Sequence, residues 1–301
     1  MRFLTATALI ALTATGALAA DWKTDYQVVK FGILSGENEK DRIARYTPFE
    51  EYLEAELGIE VEIFTAGNYD GVIQAMAADQ IEFAFFGSSS YAAAYTETDG
   101  GVEPLLSRLQ NDDSTGYYSI VVTRCDSGLN DIASLEGKVL AFADPDSTSG
   151  YAVPYFNLAK EVDVTSYFAA TPFSGSHESG VQGVVNGTFD AAATYMTNET
   201  NGIIPRMVTK GMLEEGVACP IWQSPEITSG PFTARANLPQ GLKDAMKEAV
   251  MTIPEKDPEA FVEMTGGADS TQKCWIEVDH SRYEWIVDMR EWLKNERRNA
   301  G

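Results

Sequence analysis

Residues 144–154 read DPDSTSGYAVP: an acidic turn, then Ser147, Thr148 and Ser149 in a row, a glycine and a proline. An apolar run, KVLAFA (138–143), leads into the stretch, and a helical pattern, GYAVPYFNLAKEV (150–162), leads out of it. A strand that stops in hydroxyls and restarts as a helix leaves the first backbone N–H groups of that helix without intrahelical partners. One hydroxyl is enough for an N-cap, which Ser and Thr favour in any case. Three in succession also suit a bound anion, because a helix N-terminus offers N–H donors and the positive end of the helix dipole. Taken alone, the stretch fits a cap and an anion cradle equally.

Outward from this point the same device recurs. VVKFGIL (28–34), VEIFTA (61–66), IEFAFFG (81–87), YFAATPFSG (167–175) and FDAAATY (189–195) read as strands. TPFEEYLEAEL (47–57), with Pro48 in its first turn, GNYDGVIQAMAAD (67–79), SSSYAAAYTET (88–98, a Ser-capped helix) and SHESGVQGVVNG (176–187) read as helices. Strands alternating with helices of this length predict an α/β fold with a parallel sheet. Four strand-to-helix junctions carry hydrogen-bonding side chains: Tyr69, Ser88–Ser90, Ser147–Ser149 and Ser176–His177. In open parallel sheets ligands bind beyond the carboxyl ends of the strands, where such junctions gather. Convergent N-termini would make an anion site without formal positive charge. This favours the cradle over four scattered caps.

The opening MRFLTATALIALTATGALAADWK (1–23) has one early cation, a short apolar stretch and a small-residue ending, the pattern of a secretory signal peptide cut after Ala19. No later run is apolar and long enough to span a membrane. The net charge of −23 argues against nucleic acid and anionic membranes as partners. An anionic ligand is repelled at long range by such a chain, so its site must rely on short-range neutral donors. Three cysteines, Cys125, Cys219 and Cys274, allow at most one internal disulfide in an exported protein, and the pair is not specified.

GYYSIVVTR (116–124) and GPFTARANLP (230–239) are β-rich and flank a long central block. If they are paired connecting strands, the chain builds one lobe, crosses to a second and returns; the alternative is two unrelated strands of one sheet. The division this predicts is lobe 1 over 20–120 plus 232–301 and lobe 2 over 121–231, with a cleft between. HSRYEWIVDMREWLKNERR (280–298) is an amphipathic helix whose Trp285, Ile286, Met289 and Trp292 stripe is expected to dock on the protein.

Enzyme motifs are absent: no G-x-S-x-G, no P-loop, no G-x-G-x-x-G. With two histidines, His177 and His280, and dispersed cysteines, no metal site, cofactor or catalytic residue is expected. His280 reads as a surface residue. His177, neutral at a helix start, suits hydrogen bonding to an anion better than base catalysis.

FGIL near the mature start, DPDSTSGYAVP, SGSHESGVQGVVNGTFDAAAT (174–194) and SPEITSGPFTAR (224–235) together resemble the phosphate/phosphite/phosphonate substrate-binding proteins of ABC transporters. The resemblance runs over nearly the whole mature chain. It implies a type II periplasmic binding protein fold, two α/β lobes joined by two strands. It also implies capture of a small phosphorus oxyanion in the cleft and delivery to a membrane permease, by a periplasmic monomer. Position by position it implies ligand-binding roles for Ser147, Thr148, Ser149, Tyr69, Tyr117 and His177, with Ser88 added from the junction pattern. Members selective for aminoalkyl phosphonates hold the ammonium with two carboxylates; here the matching positions are Thr197 and Gly230, with Glu199 two residues beyond the first. Simple oxyanions are therefore expected to bind better than 2-aminoethylphosphonate. An exported phosphoester hydrolase, or a ligand-loaded partner of a membrane sensor, are the competing readings.

Overall fold

The computed structural model describes residues 22–110, 114–266 and 274–299; the expected signal segment 1–19 lies outside the described residues. Two sheets organise the chain. The first contains β1 (Val28–Ile33), β2 (Glu60–Thr65), β3 (Phe83–Phe85), β4 (Val102–Arg108), β11 (Pro231–Arg235) and β12 (Trp275–Glu277), in the spatial order β12-β4-β11-β3-β1-β2. The second has β5 (Gly116–Arg124), β6 (Leu140–Ala141), β7 (Ala191–Asn198) and β10 (Ile227–Thr228) in the order β10-β5-β7-β6. On it, β8 (Asn201–Gly202) pairs with β7 and β9 (Ala218–Gln223) with β5.

Helices α1 (Glu39–Leu57), α8 (Gln240–Lys256) and α9 (Pro258–Thr265) share one core with the first sheet. That core is aromatic: Phe31 meets Phe49 edge-on with ring centres 5.3 Å apart, and Phe83 stacks on Phe232 at 5.6 Å. Burying each such ring contributes about 1.5–3 kcal/mol. A second core joins α2 (Tyr69–Ala77) and α3 (Ser88–Glu97) to α4 (Val153–Leu158) and α10 (Glu284–Asn299). Short α5 (Val164–Tyr167) adds Val164 to this core, and α6 (His177–Val185) and α7 (Ile203–Thr209) build a third core on the second sheet. The disulfide is Cys125–Cys219, tying the end of β5 to its neighbour β9; Cys274 is buried in the first core.

The expected docking of α10 is realised. Ile286, Met289 and Leu293 are buried and Trp285 and Trp292 half-buried. Trp292 packs edge-on against Phe156 of α4, while Arg290 bonds both Ser89 of α3 and Asp146. The helix thus joins α3 to α4 and to the turn at Asp146. His280 is not a bare surface group: it stacks on Tyr95 at 3.8 Å and its Nδ1 lies 2.9 Å from the Tyr91 hydroxyl.

Five expectations need correction. The sheets are mixed rather than parallel: β1 runs parallel to β2 and β3, and β6 to β7, but β11 is antiparallel to β3 and β4, and β5 to β7. A chain that leaves a sheet and returns beside its exit re-enters in the opposite sense. Nor do 116–124 and 230–239 pair with each other, because β5 lies in the second sheet and β11 between β3 and β4 in the first. Gly116 and Tyr117 pair with Thr228 and Ile227, and Ser229 N–H donates to Thr115 O, so the two crossings run side by side there. Helix α1 begins at Glu39, not at Pro48, because Asn38 caps it by accepting from Asp41 N–H. Residues 167–175 make only single bridges at Ala170 and Phe173, since Pro172 between them has no N–H to donate. Finally, α3 has Gly87 at its cap position, with Ser90 Oγ accepting from Gly87 N–H.

Candidate functional site

A cavity of about 240 Å³ lies beyond the carboxyl ends of β1 and β3. Its wall includes Tyr69, Gly87, Tyr117, Ser147, Thr148, Ser149 and His177, so the starts of α2, α3, α6 and the turn before α4 all face it. The DPDSTSGYAVP stretch forms the floor. Ser147 caps a wide turn over Thr148–Ala152: its Oγ accepts from Gly150 N–H at 3.0 Å, and Ala152 N–H reaches back to Ser147 O at 3.0 Å. Gly150 is required there, because a Cβ would sit 2.5 Å from the Ala143 Cβ and 2.9 Å from the His177 ring. Thr148 Oγ1 accepts from Ser89 N–H at 2.8 Å, and Ser149 O accepts from Ser119 Oγ at 2.7 Å. Ser147 thus serves as a cap and as cavity wall together.

His177 is held from both sides, with Nδ1 3.1 Å from Thr194 Oγ1 and Nε2 3.4 Å from Ser147 Oγ. Burial, with Arg206 nearby, lowers its pKa to about 4, so the ring is neutral at neutral pH. Burial, with Asp144 and Tyr117 nearby, pushes the Tyr69 phenol upward. Burial raises Tyr117 too, against hydrogen bonds from Thr148 and Ser149. Both phenols therefore remain donors. Asp144, itself raised by burial, accepts from Tyr69 N–H at 3.2 Å. Ser88, expected at the site, is buried outside the cavity wall, and its hydroxyl donates to Thr228 O at 2.6 Å.

Sequence reading missed the cations. Arg45 of α1 and Arg206 of α7 line this cavity, as do Tyr46 and Tyr195, so the donors are not all neutral. Arg45 lies in the first turns of α1, ahead of the Pro48 start that the sequence pattern predicts. Glu37 balances them: burial would raise its carboxyl, but Arg45, Arg206 and Lys210 hold it below its ordinary value. Lys210 also pairs with Asp41 and with Glu178, which accepts from Asn38 N–H.

A second cavity of about 250 Å³ adjoins the first, sharing Tyr46, Phe85, Tyr117, Tyr195 and Arg206 in its wall. Arg108, Gln110, Thr197, Asn201, Ser229 and Gly230 line it too, beside Met264, Thr265 and Trp275, with no carboxylate among the described lining residues. Glu199 is exposed on the turn between β7 and β8 and does not line this annex. Gly230 has no room for a side chain, since a Cβ would fall 2.0 Å from Phe86 O.

A family model described as the periplasmic phosphonate substrate-binding protein of ABC transporters matches residues 31–283. The chain belongs to this family. As a member it is a substrate-binding component of an ABC transporter, and its fold is that of type II periplasmic binding proteins. The phosphonates-binding periplasmic protein of Escherichia coli K12 is 32% identical over 248 residues, 80% of this chain and 71% of that one. The phosphate-import protein PhnD of Mycolicibacterium smegmatis is 27% identical over 302 aligned positions, covering 94% and 92%. Among solved structures, a phosphonate-transporter binding protein from Pseudomonas aeruginosa superposes with a TM-score of 0.75 at 22% identity, covering 91% of this chain and 89% of that one. PhnD1 of Prochlorococcus marinus in complex with methylphosphonate gives 0.74 at 22%, covering 89% and 98%. No helix among the described residues is long and apolar enough to cross a membrane, and no cluster among them is suited to hold a metal ion.

Proposed function

We propose that this protein captures a small phosphonate, phosphite or phosphate between two lobes and presents it to the permease of an ABC importer. One observation carries the reading: four chain segments aim helix starts, two phenols, three hydroxyls and a neutral imidazole at one cavity. Ser147, Thr148, Ser149, Tyr69, Tyr117 and His177 would surround the phosphorus oxygens, with Arg45 and Arg206 balancing charge. Ser88 would act only through the backbone of α3. The lobe boundaries would fall between β4 and β5 and between β10 and β11, whose strands belong to different sheets. Closure of the lobes on ligand is supported by the pairs that span them, Ser89–Thr148, Tyr69–Asp144 and Lys210–Glu37. Export through the segment 1–19, function as a monomer and the absence of catalysis complete the proposal.

A thermal-unfolding series tests it. Methylphosphonate, phosphite or phosphate at about 100 times its dissociation constant should stabilise the protein by about 2.7 kcal/mol, and sulfate by less. Scattering should show a smaller radius of gyration at saturation. No stabilisation by any phosphorus oxyanion, or turnover of a phosphate ester, would count against the reading.

A further inference from the structure

We propose that the annex is a second anion subsite, selecting phosphonates that carry a carboxylate at the end away from phosphorus. The inference rests on the phosphorus-oxyanion reading of the first cavity. Where an aminoalkyl ligand would need carboxylates, this chain has Thr197 and Gly230, and the sterics at Gly230 forbid one being added. Two arginines stand there instead. Arg108, at the end of β4, donates through Nη1 to Thr265 O at 3.3 Å. Its Nε and Nη2 are shut off from solvent with no hydrogen-bond partner among the described residues. Arg206 faces the same space from α7, and its carboxylate neighbour Glu37 is 4.0 Å away and shared with Arg45 and Lys210.

A buried guanidinium whose donors go unmet costs free energy, and a carboxylate is the group whose two oxygens match its fork of donors. The amides of Gln110 and Asn201 line the same wall and can add neutral hydrogen bonds. An ammonium group placed there would meet two like charges. Because the two cavities share five wall residues, including Arg206, a short linker is enough to join a phosphonate in one to a carboxylate in the other.

Calorimetry on the full mature protein tests this with matched pairs: phosphonoacetate against ethylphosphonate, and 3-phosphonopropionate against propylphosphonate. At least one carboxylate should bind about tenfold or more tighter than its alkyl partner, the size of one charge-assisted hydrogen bond. In Arg108→Gln that ratio should fall towards one, and Arg206→Gln, measured in parallel, should lower it as well. Thermal unfolding confirms that each variant is folded. Equal or weaker binding of both carboxylates by the wild type overturns the inference and leaves the oxyanion reading standing. A large ratio that survives both substitutions overturns its assignment to the arginines. Failure of every phosphonate to bind overturns the underlying reading and the inference with it.

Discussion

The oxyanion cavity and the annex share a wall and are built on opposite principles. At the oxyanion end the polar groups come from residues adjacent in sequence, Ser147 to Ser149 above all, and most are neutral donors at helix starts. At the far end the chemistry belongs to single residues from distant elements, Arg108 of β4 and Arg206 of α7. Fixed dipoles bind an anion without changing the charge of a chain already at −23, and Glu37 offsets Arg45 and Arg206 at that end, whereas the annex holds Arg108 and Arg206 with no carboxylate among its described lining residues. On the proposed reading the difference implies separable tasks: the first end would hold the phosphorus oxygens, and the second would select what else the ligand carries.

The largest effect expected is at the oxyanion end. Ser147→Ala with Thr148→Ala removes two bonds to a charged ligand, each worth about 1.5–3 kcal/mol, so affinity for methylphosphonate should fall by about two to four orders of magnitude. The protein itself should lose about 2–5 kcal/mol, about 1–2 for the Ser147 cap and about 1–3 for the buried Ser89 N–H left without its Thr148 acceptor. Calorimetry and urea unfolding on the same sample separate the two. A variant that binds normally but unfolds easily would make this end a structural turn and dissolve the contrast.

Next comes acid. His177 in the unfolded chain takes up a proton near pH 6.5, while in the folded chain burial delays this to about pH 4. Stability contributed by the neutral ring is therefore complete above pH 6.5 and is lost as the pH falls to about 4, by up to about 3 kcal/mol. His177→Gln should remove that portion of the acid sensitivity. Unfolding midpoints at pH 7 and pH 4.5 measure it, and identical slopes for both proteins would mean the ring is not buried from water.

The annex is probed by Gly230→Asp. The added side chain would collide with the backbone at Phe86, and overpacking of this kind costs about 1–3 kcal/mol. The variant should melt earlier without gaining affinity for 2-aminoethylphosphonate, which the wild type should bind more weakly than ethylphosphonate. A stable variant that gains the amine ligand would mean the annex walls yield. Smallest of all, Lys210→Ala leaves Glu37 and Glu178 facing each other across the cleft. Its half-shielded ion pairs should cost about 1 kcal/mol of ligand affinity, read as a loss of about fivefold and a larger radius of gyration.

Much of this architecture is readable without coordinates where the determining physics is local. Hydroxyls at 147–149, the cap at Ser176 and the alternation of FGIL, FAFF and AAAT with amphipathic helices identify strand-to-helix junctions from a few neighbouring residues each. The α10 stripe is equally local, because a helix shows its buried face in its own periodicity. Pro48 misled for a related reason: its preference for a first turn is a local statistic, and the cap at Asn38 overrode it. What distance in sequence conceals is which elements meet. Insertion of β11 between β3 and β4 sets its strand direction, the same crossing presses Gly230 against Phe86, and the fold alone brings Arg45 and Arg206 to the first cavity and Arg108 with Arg206 to the annex. By itself, then, the sequence determined an α/β binding protein with hydrogen-bonding residues at its strand-to-helix junctions, because hydrogen-bond donors at a helix end are set by the residues beside them. Only the tertiary structure decided what lies opposite that cradle, because a charge acts on a site through space and not along the chain.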